Sequence, residues 1–303
     1  MSAVLDDPSS IGSGAVLLLG SGAIGSAIAD ALRRHGRART RSAPIPWTSS
    51  DRGDALRGAM DLLPVGAHNA VVWAAGRAGF SAVESTCEQE LDAFIDVMRA
   101  IGHMVDQPGS RSLSLHVVSS AGALFEGVTR VSAASTTSPL RPYGHLKAEQ
   151  ERRSGAAAGS IPVTIYRAST VYGTPSRGHR PGLIATLVQN GLGRRPTSLY
   201  GALDTLRDYV SADEIGQHIA RRVGKQSGAG LQVEMLVAGR PTPIAAVIDI
   251  VERALRRRLL TSYVDAWNAR DITFDPSIRA IGFKPEPLTT GVARVVAQSL
   301  GRP

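Results

Sequence analysis

Ala15-Val16-Leu17-Leu18-Leu19-Gly20-Ser21-Gly22-Ala23-Ile24-Gly25-Ser26-Ala27-Ile28 is the stretch that decides the fold. An apolar run reads as a buried strand and breaks at closely spaced glycines. It then passes into a helical pattern over Ala23–His35, with Ile24, Ile28 and Leu32 on one face. Gly36 is placed to cap that helix. Strand, glycine turn and helix form the context that Gly20-x-Gly22-x-x-Gly25 needs. Gly20 permits a tight turn, Gly22 lets the backbone approach a pyrophosphate, and Gly25 lets helix and strand pack closely. The helix start, Ala23 and Ile24 included, offers unpaired N–H groups and a positive dipole end to phosphate. The loop points to a bound dinucleotide.

The same alternation continues outward. Extended pieces are expected near Ala38–Ser42 and Ile45–Trp47, a helix near Asp54–Leu63 and a strand at Ala70–Ala74. A long helix over Thr86–Met104, a strand at Ser112–Ser119, a helix at Tyr143–Arg153 and a strand at Val163–Arg167 follow. Alternating strands and helices predict an α/β fold, a doubly wound parallel sheet with right-handed crossovers. After Tyr172 the rhythm is broken by Pro175, Pro181, Gly191, Gly193 and Pro196. A strand at Leu231–Val237 and helices at Ile244–Leu255 and Thr290–Leu300 are expected beyond it. We read residues 1–173 as the dinucleotide-binding domain, with 208–240 returning to it. Residues 174–303 then form a smaller, partly interleaved lobe. Residues 1–12 read as a loose leader.

A dinucleotide carrying a free ribose 2′-hydroxyl calls for an acid at the end of the second strand, about 20 residues past the glycines. Here the chain reads Arg37-Ala38-Arg39-Thr40-Arg41-Ser42, with no acid. Arg39 or Arg41 would instead pair with a 2′-phosphate, so NADP(H) is favoured over NAD(H). Downstream, Tyr143 and Lys147 lie at i and i+4, on one helical face. A free phenol has a pKa of about 10 and is a poor base at neutral pH. A neighbouring ammonium favours the phenolate, which fits Tyr143 to exchange a proton while a hydride moves. Ser120, at the end of the preceding strand, is placed to hydrogen-bond the reacting oxygen. Its alternative role is that of a helix or turn cap.

Taken together, the motifs resemble the extended short-chain dehydrogenase/reductases of the NAD-dependent epimerase/dehydratase family. Besides the glycine loop and Tyr143–Lys147, the matching pieces are Val71–Gly76, Val118–Ala121, Arg167–Gly173, Arg207–Val210 and Ile281–Pro285, in the family's order. The resemblance implies a Rossmann fold with cofactor contacts from Ala74, Ala75 and Gly76. It implies that Tyr143 is the acid/base, that Lys147 also binds the nicotinamide ribose, and that Ser120 completes the triad. Thr170 would touch substrate, and Arg207 would grip the diphosphate of a nucleotide sugar. By the same analogy two copies would pair through the helices Thr86–Met104 and Tyr143–Arg153. Three departures stand out: Leu19 stands where the family's glycine turn has its first Gly, three residues before the second, so Gly20 is used instead; Thr170 replaces the family's Asn; and Ala121-Gly122 follow Ser120 where 4,6-dehydratases carry Asp-Glu. Elimination then lacks its acid and base. This leaves 4-keto reduction or C4 epimerisation of a nucleotide-diphosphate sugar, with the NADP lean favouring reduction. The alternatives are a non-catalytic dinucleotide sensor and a reductase of a small non-nucleotide ketone.

Composition bounds these readings. The chain has 303 residues, 43% of them apolar, enough for a packed core. No run of about 18 apolar residues is present to span a membrane. The start, with Asp6 and Asp7, lacks the basic opening of a secretory signal. The single cysteine, Cys87, excludes an internal disulfide and fits a reducing cytoplasm. The net charge of +8 comes from a chain in which 31 of 34 basic residues are Arg. They are scattered, with no aromatic-interleaved basic run of the kind that binds nucleic acid. Seven histidines without paired spacing and one cysteine predict no metal site.

Overall fold

The computed structural model describes residues 2–6, 14–35, 39–43, 45–65, 67–106, 112–174, 181–223, 228–264 and 270–301; the side chains of 2–6 and 39–43 lie outside the description, as do Gly36 and its expected cap. The first half runs β1 (Ser2–Asp6), β2 (Val16–Leu19), α1 (Ala23–Arg34), β3 (Arg39–Ala43), α2 (Arg52–Asp61), β4 (His68–Trp73), α3 (Glu84–Val105), β5 (Ser112–Ser120), α4 (Ala121–Leu124), α5 (Pro142–Ala156) and β6 (Pro162–Ala168). The second half runs β7 (Thr170–Tyr172), α6 (Leu183–Leu192), β8 (Thr197–Tyr200), β9 (Leu206–Arg207), β10 (Tyr209–Ser211), α7 (Ala212–Val223), β11 (Gly230–Leu236), β12 (Thr242–Pro243), α8 (Ile244–Leu255), β13 (Thr261–Val264) and α9 (Leu288–Ser299).

The main sheet has the order β11-β6-β5-β4-β2-β1-β3. Its strands β2, β4, β5, β6 and β11 are parallel. Strand side chains alternate between faces, and here both faces are apolar. Leu17, Leu19, Val71, Trp73, Leu115, Val117, Val163 and Ile165 pack with Leu56 and Met60 of α2 and Phe94, Val97 and Ile101 of α3. Val16, Leu18, Ala70, Val72, Val118 and Tyr166 pack instead with Ile28 and Leu32 of α1 and Ile215 and Ile219 of α7. Continuous apolar strands are what a sheet covered on both faces requires. Each such fully buried side chain contributes about 1.5–3 kcal/mol. Helices α1 and α7 approach closely because Gly216 has no side chain: a Cβ there would sit 2.5 Å from the Ala27 carbonyl carbon.

Two expectations need correction. The leader expected over residues 1–12 contains β1, which runs antiparallel between β2 and β3, so the sheet is not purely parallel. Ile45–Trp47 is not a strand. Trp47 N–H bonds back to the Ile45 carbonyl and Ser49 N–H to that of Pro46, a turn that seats Trp47 edge-on to Trp73 at 5.8 Å.

The later elements build a second core from Ile184, Leu187 and Val188 of α6, Val247 and Val251 of α8, and Val292, Val295 and Val296 of α9. The chain crosses between the two cores at buried Asp208. Its carboxylate accepts from Ser169 Oγ at 2.6 Å, Ala238 N at 2.8 Å and Arg240 N at 2.9 Å. This fully bonded carboxylate ties β7 to the end of β11, next to the expected substrate residues. Among the described residues no helix is long and apolar enough to cross a membrane, and none form a metal-holding cluster.

Candidate functional site

The site gathers at the carboxyl ends of β2, β4 and β5. Gly20 sits at φ +119°, and a Cβ there would stand 2.4 Å from the backbone of Ala74. A Cβ on Gly25 would stand 2.3 Å from the Gly20 carbonyl oxygen. Both glycines therefore press the loop against the start of α1 and against Ala74, whose N–H bonds the Leu19 carbonyl at 2.8 Å. Gly22 caps α1 without a side-chain hydrogen bond, and no acid occupies the first turn. The unpaired first-turn N–H groups and positive dipole end stay available to an anion. Ala23 and Ile24, in this turn, are half-buried. A dinucleotide pyrophosphate fits such a cradle. Arg39 and Arg41 lie on β3, with side chains outside the described residues.

Pro142, with its fixed φ and no N–H to satisfy, opens α5. Tyr143 and Lys147 follow on one face, with the ammonium 5.5 Å from the phenol ring centroid. Lys147 is buried, with two of its three ammonium donors engaged. Its Nζ donates to Glu90 Oε1 at 3.1 Å and to Gln150 Oε1 at 2.9 Å. The other Glu90 oxygen accepts from the Arg77 and Ala78 amides at 3.0 Å each. Gly76, at φ +157°, makes room for this, since a Cβ would come within 2.8 Å of Glu90 Oε1. Burial works to lower the Lys147 pKa, but the Glu90 carboxylate, Tyr143 and Glu151 outweigh it and hold it above the ordinary lysine value. The Arg77–Ala78 segment, next to the expected cofactor turn Ala74–Gly76, is thus joined through Glu90 to α5.

Ser120 caps the short α4, its Oγ accepting from Ala123 N at 3.2 Å. Capping and catalysis are compatible here, because the hydroxyl still has its own proton to donate. Helix α4 presses on the first turn of α5, where a Gly144 Cβ would meet the Ala123 carbonyl oxygen at 2.6 Å. Phe80 lies nearby, its ring 6.5 Å from that of Tyr143 and 5.4 Å from the Arg141 guanidinium. Arg141 in turn pairs with buried Glu126 at 2.7 Å. Ser119 Oγ donates to Glu151 at 2.6 Å, and Arg167 grips the same carboxylate with two nitrogens, pinning α5 to β5 and β6.

Thr170, half-buried on β7, donates its N–H to the Asp208 carbonyl at 2.9 Å. Arg207 on β9 donates to the carbonyls of Leu206 and Arg270. Among the described residues no carboxylate lies within 4.0 Å of its guanidinium, and burial pushes its pKa down. His145 is exposed and Cys87 buried, as their helix positions imply. Sequence reasoning missed Glu90, Gln150 and Phe80. For Glu90 a signal existed: it is the one acid on the otherwise apolar stripe Cys87, Phe94, Val97, Ile101 and Met104 of α3. A cavity of about 930 Å³ lies elsewhere, between α7 and β11, lined by His218, Arg222, Glu234 and Arg279. It contains none of the residues above.

Residues 16–230 match the model of the NAD dependent epimerase/dehydratase family. The chain belongs to this family. Among solved structures, MoeE5 in complex with UDP-glucose and NAD is 23% identical, with a TM-score of 0.74 over 92% of this chain and 96% of that one. UDP-glucose 4-epimerase of Thermus thermophilus, in complex with NAD, is 18% identical, with a TM-score of 0.75 over 93% and 96%. RMD from Pseudomonas aeruginosa, complexed with NADPH, is 17% identical, with a TM-score of 0.70 over 92% and 96%. These likenesses show the shared epimerase/dehydratase fold over nearly the whole chain. No curated protein matches it.

Proposed function

We propose that this family member moves a hydride at a secondary alcohol or ketone of a nucleotide-diphosphate sugar, with 4-keto reduction ahead of C4 epimerisation. The observation that carries the reading is the buried Lys147 ammonium 5.5 Å from the Tyr143 ring, on a helix joined through Glu90 to the turn beside the glycine loop. A nicotinamide dinucleotide, held by Gly20–Gly25 and Ala74–Gly76, would supply or accept the hydride. Tyr143 Oη gives or takes the proton at the substrate oxygen. Ser120 donates a hydrogen bond to that oxygen, and Arg207 binds the diphosphate, a bidentate acceptor suited to a guanidinium. With Arg39 and Arg41 on β3 and no acid there, we read the cofactor as NADP(H). A reductase draws on an exchanging pool of it. The family resemblance also makes a homodimer part of the proposal. The outer faces of α3 and α5 carry exposed Glu88, Asp92, Arg99 and Arg152, so pairing there would be polar.

Incubation of the purified protein with UDP- and dTDP-4-keto sugars and hexoses, with NADPH, with NADH or with neither, tests the proposal. The expected result is consumption of a 4-keto sugar that requires added cofactor and proceeds faster with NADPH. Hexose conversion without added cofactor would make the protein an epimerase instead. A clear advantage for NADH would overturn the β3 reading, and no conversion under any condition would overturn the nucleotide-sugar assignment.

A further inference from the structure

A buried ammonium needs a counter-ion, and the site offers two. One is the Tyr143 phenol, as phenolate; the other is the Glu90 carboxylate. The structure shows Glu90 in that role, 3.1 Å from Nζ, with both side chains almost wholly out of water at 6% and 5% exposure. Glu90 is itself fixed by two turn amides, and Gln150 bridges the pair by accepting from Nζ at 2.9 Å and donating to Glu90 Oε1 at 3.3 Å. A charge pair this enclosed is organised by its hydrogen bonds and strongly resists losing one partner. The remaining charged or titratable groups do not displace Glu90. From α3, Cys87 stands near both members, and burial keeps its thiol raised. From α5, Glu151 is engaged by Arg167 of β6. Ahead of α5, Arg141 is engaged by Glu126.

We propose that Glu90 is a positioning residue that serves as the standing counter-ion of Lys147, so that Tyr143 keeps its proton and meets the substrate as a proton donor. The inference rests on the reading of Tyr143 as the acid/base and sharpens its direction. A site whose lysine is already neutralised favours delivery of a proton to a carbonyl oxygen over its removal from an alcohol. In that step the Tyr143 O–H bond breaks as the new alcohol O–H forms, while the reduced nicotinamide is oxidised by loss of its hydride to the carbonyl carbon. The same carboxylate links the Gly76–Ala78 turn to α5, so one side chain aligns the cofactor side with the proton side.

In Glu90→Gln the ammonium is left with Tyr143 as its nearest available anion, and phenolate formation becomes easier. Tyrosinate absorbance is titrated in the full-length protein with NADP(H) bound and no sugar, and Tyr143→Phe identifies the Tyr143 signal. Phenolate is expected at a pH about one unit lower in Glu90→Gln than in wild type. The alkaline limb of turnover against pH should move the same way. Glu90→Asp, which keeps the charge, should stay near wild type. An unmoved or raised phenolate titration in Glu90→Gln would overturn the inference. If Glu90→Gln does not fold, the Glu90→Gln/Lys147→Gln pair removes both charges and keeps amide bonding. Its phenolate should then appear near the wild-type pH; a clearly higher value, which loss of an unneutralised ammonium would give, or a clearly lower one would overturn the inference. The titration uses no sugar: the expected downward shift without sugar-nucleotide turnover leaves Glu90's role standing and removes only the substrate assignment.

Discussion

Tyr143→Phe is expected to cut turnover by about 10²–10⁴-fold, the usual contribution of a positioned acid or base, with little change in cofactor affinity. The substitution removes one oxygen and nothing else. The ring keeps its place beside Phe80 and under the Lys147 ammonium, and the buried Lys147–Glu90–Gln150 network does not depend on the hydroxyl. The glycine cradle and the Ala74–Gly76 turn are untouched. Steady-state rates on the sugar nucleotide turned over by the wild type, together with a fluorescence titration of the cofactor, separate the two effects. Unchanged turnover would remove Tyr143 from the chemistry.

The second large effect is structural. Gly20→Ala asks an L side chain to hold φ +119° and to place its Cβ 2.4 Å from the Ala74 backbone. The conformation alone costs about 1–3 kcal/mol, and the overlap adds a comparable amount because Ala74 is anchored by its bond to Leu19. We expect a loss of about 3 kcal/mol or more in denaturant unfolding, and cofactor binding weakened at least in proportion. A midpoint and affinity equal to wild type would mean that the loop does not press on the end of β4. Gly25→Ala is blocked by a neighbouring atom of the same loop, so the two positions define one rigid turn.

What could be read in the sequence was local. Strand, glycine turn and helix at Ala15–Ile28 lie within a few residues of each other, and Tyr143 and Lys147 are one helical turn apart, so spacing alone places them. What escaped was non-local. Glu90 reaches Lys147 across 57 residues of chain, and only its place on an apolar stripe hinted at a buried partner. Strands β8 and β13 are four residues each and exist because Thr197–Tyr200 pairs with Thr261–Val264. No periodicity reveals such a pairing. Strand β1 is of the same kind, since Ser2–Asp6 gains its identity from the two strands it separates. Ile45–Trp47 misled for a different reason. Ile45 is buried and Trp47 packs half-buried against Trp73 from a turn, so apolar packing stood in for extension.

Position, rather than identity, also separates the two serines at the end of β5. Ser119 faces Glu151 and helps pin α5. Ser120, one residue on, faces the opposite way in the strand alternation and caps α4 beside the first turn of α5. The pair illustrates why a motif match needs its strand register before a role is assigned.

The most direct measurement is a crystal structure of the protein with NADP(H) bound. The pyrophosphate is expected against the Gly20–Gly25 loop. The Tyr143 oxygen is expected on the nicotinamide side of the cleft, with room for a substrate carbonyl at a near-attack separation of about 3–3.5 Å. A nicotinamide seated away from α5, or a Tyr143 hydroxyl turned out of the cleft, would contradict it.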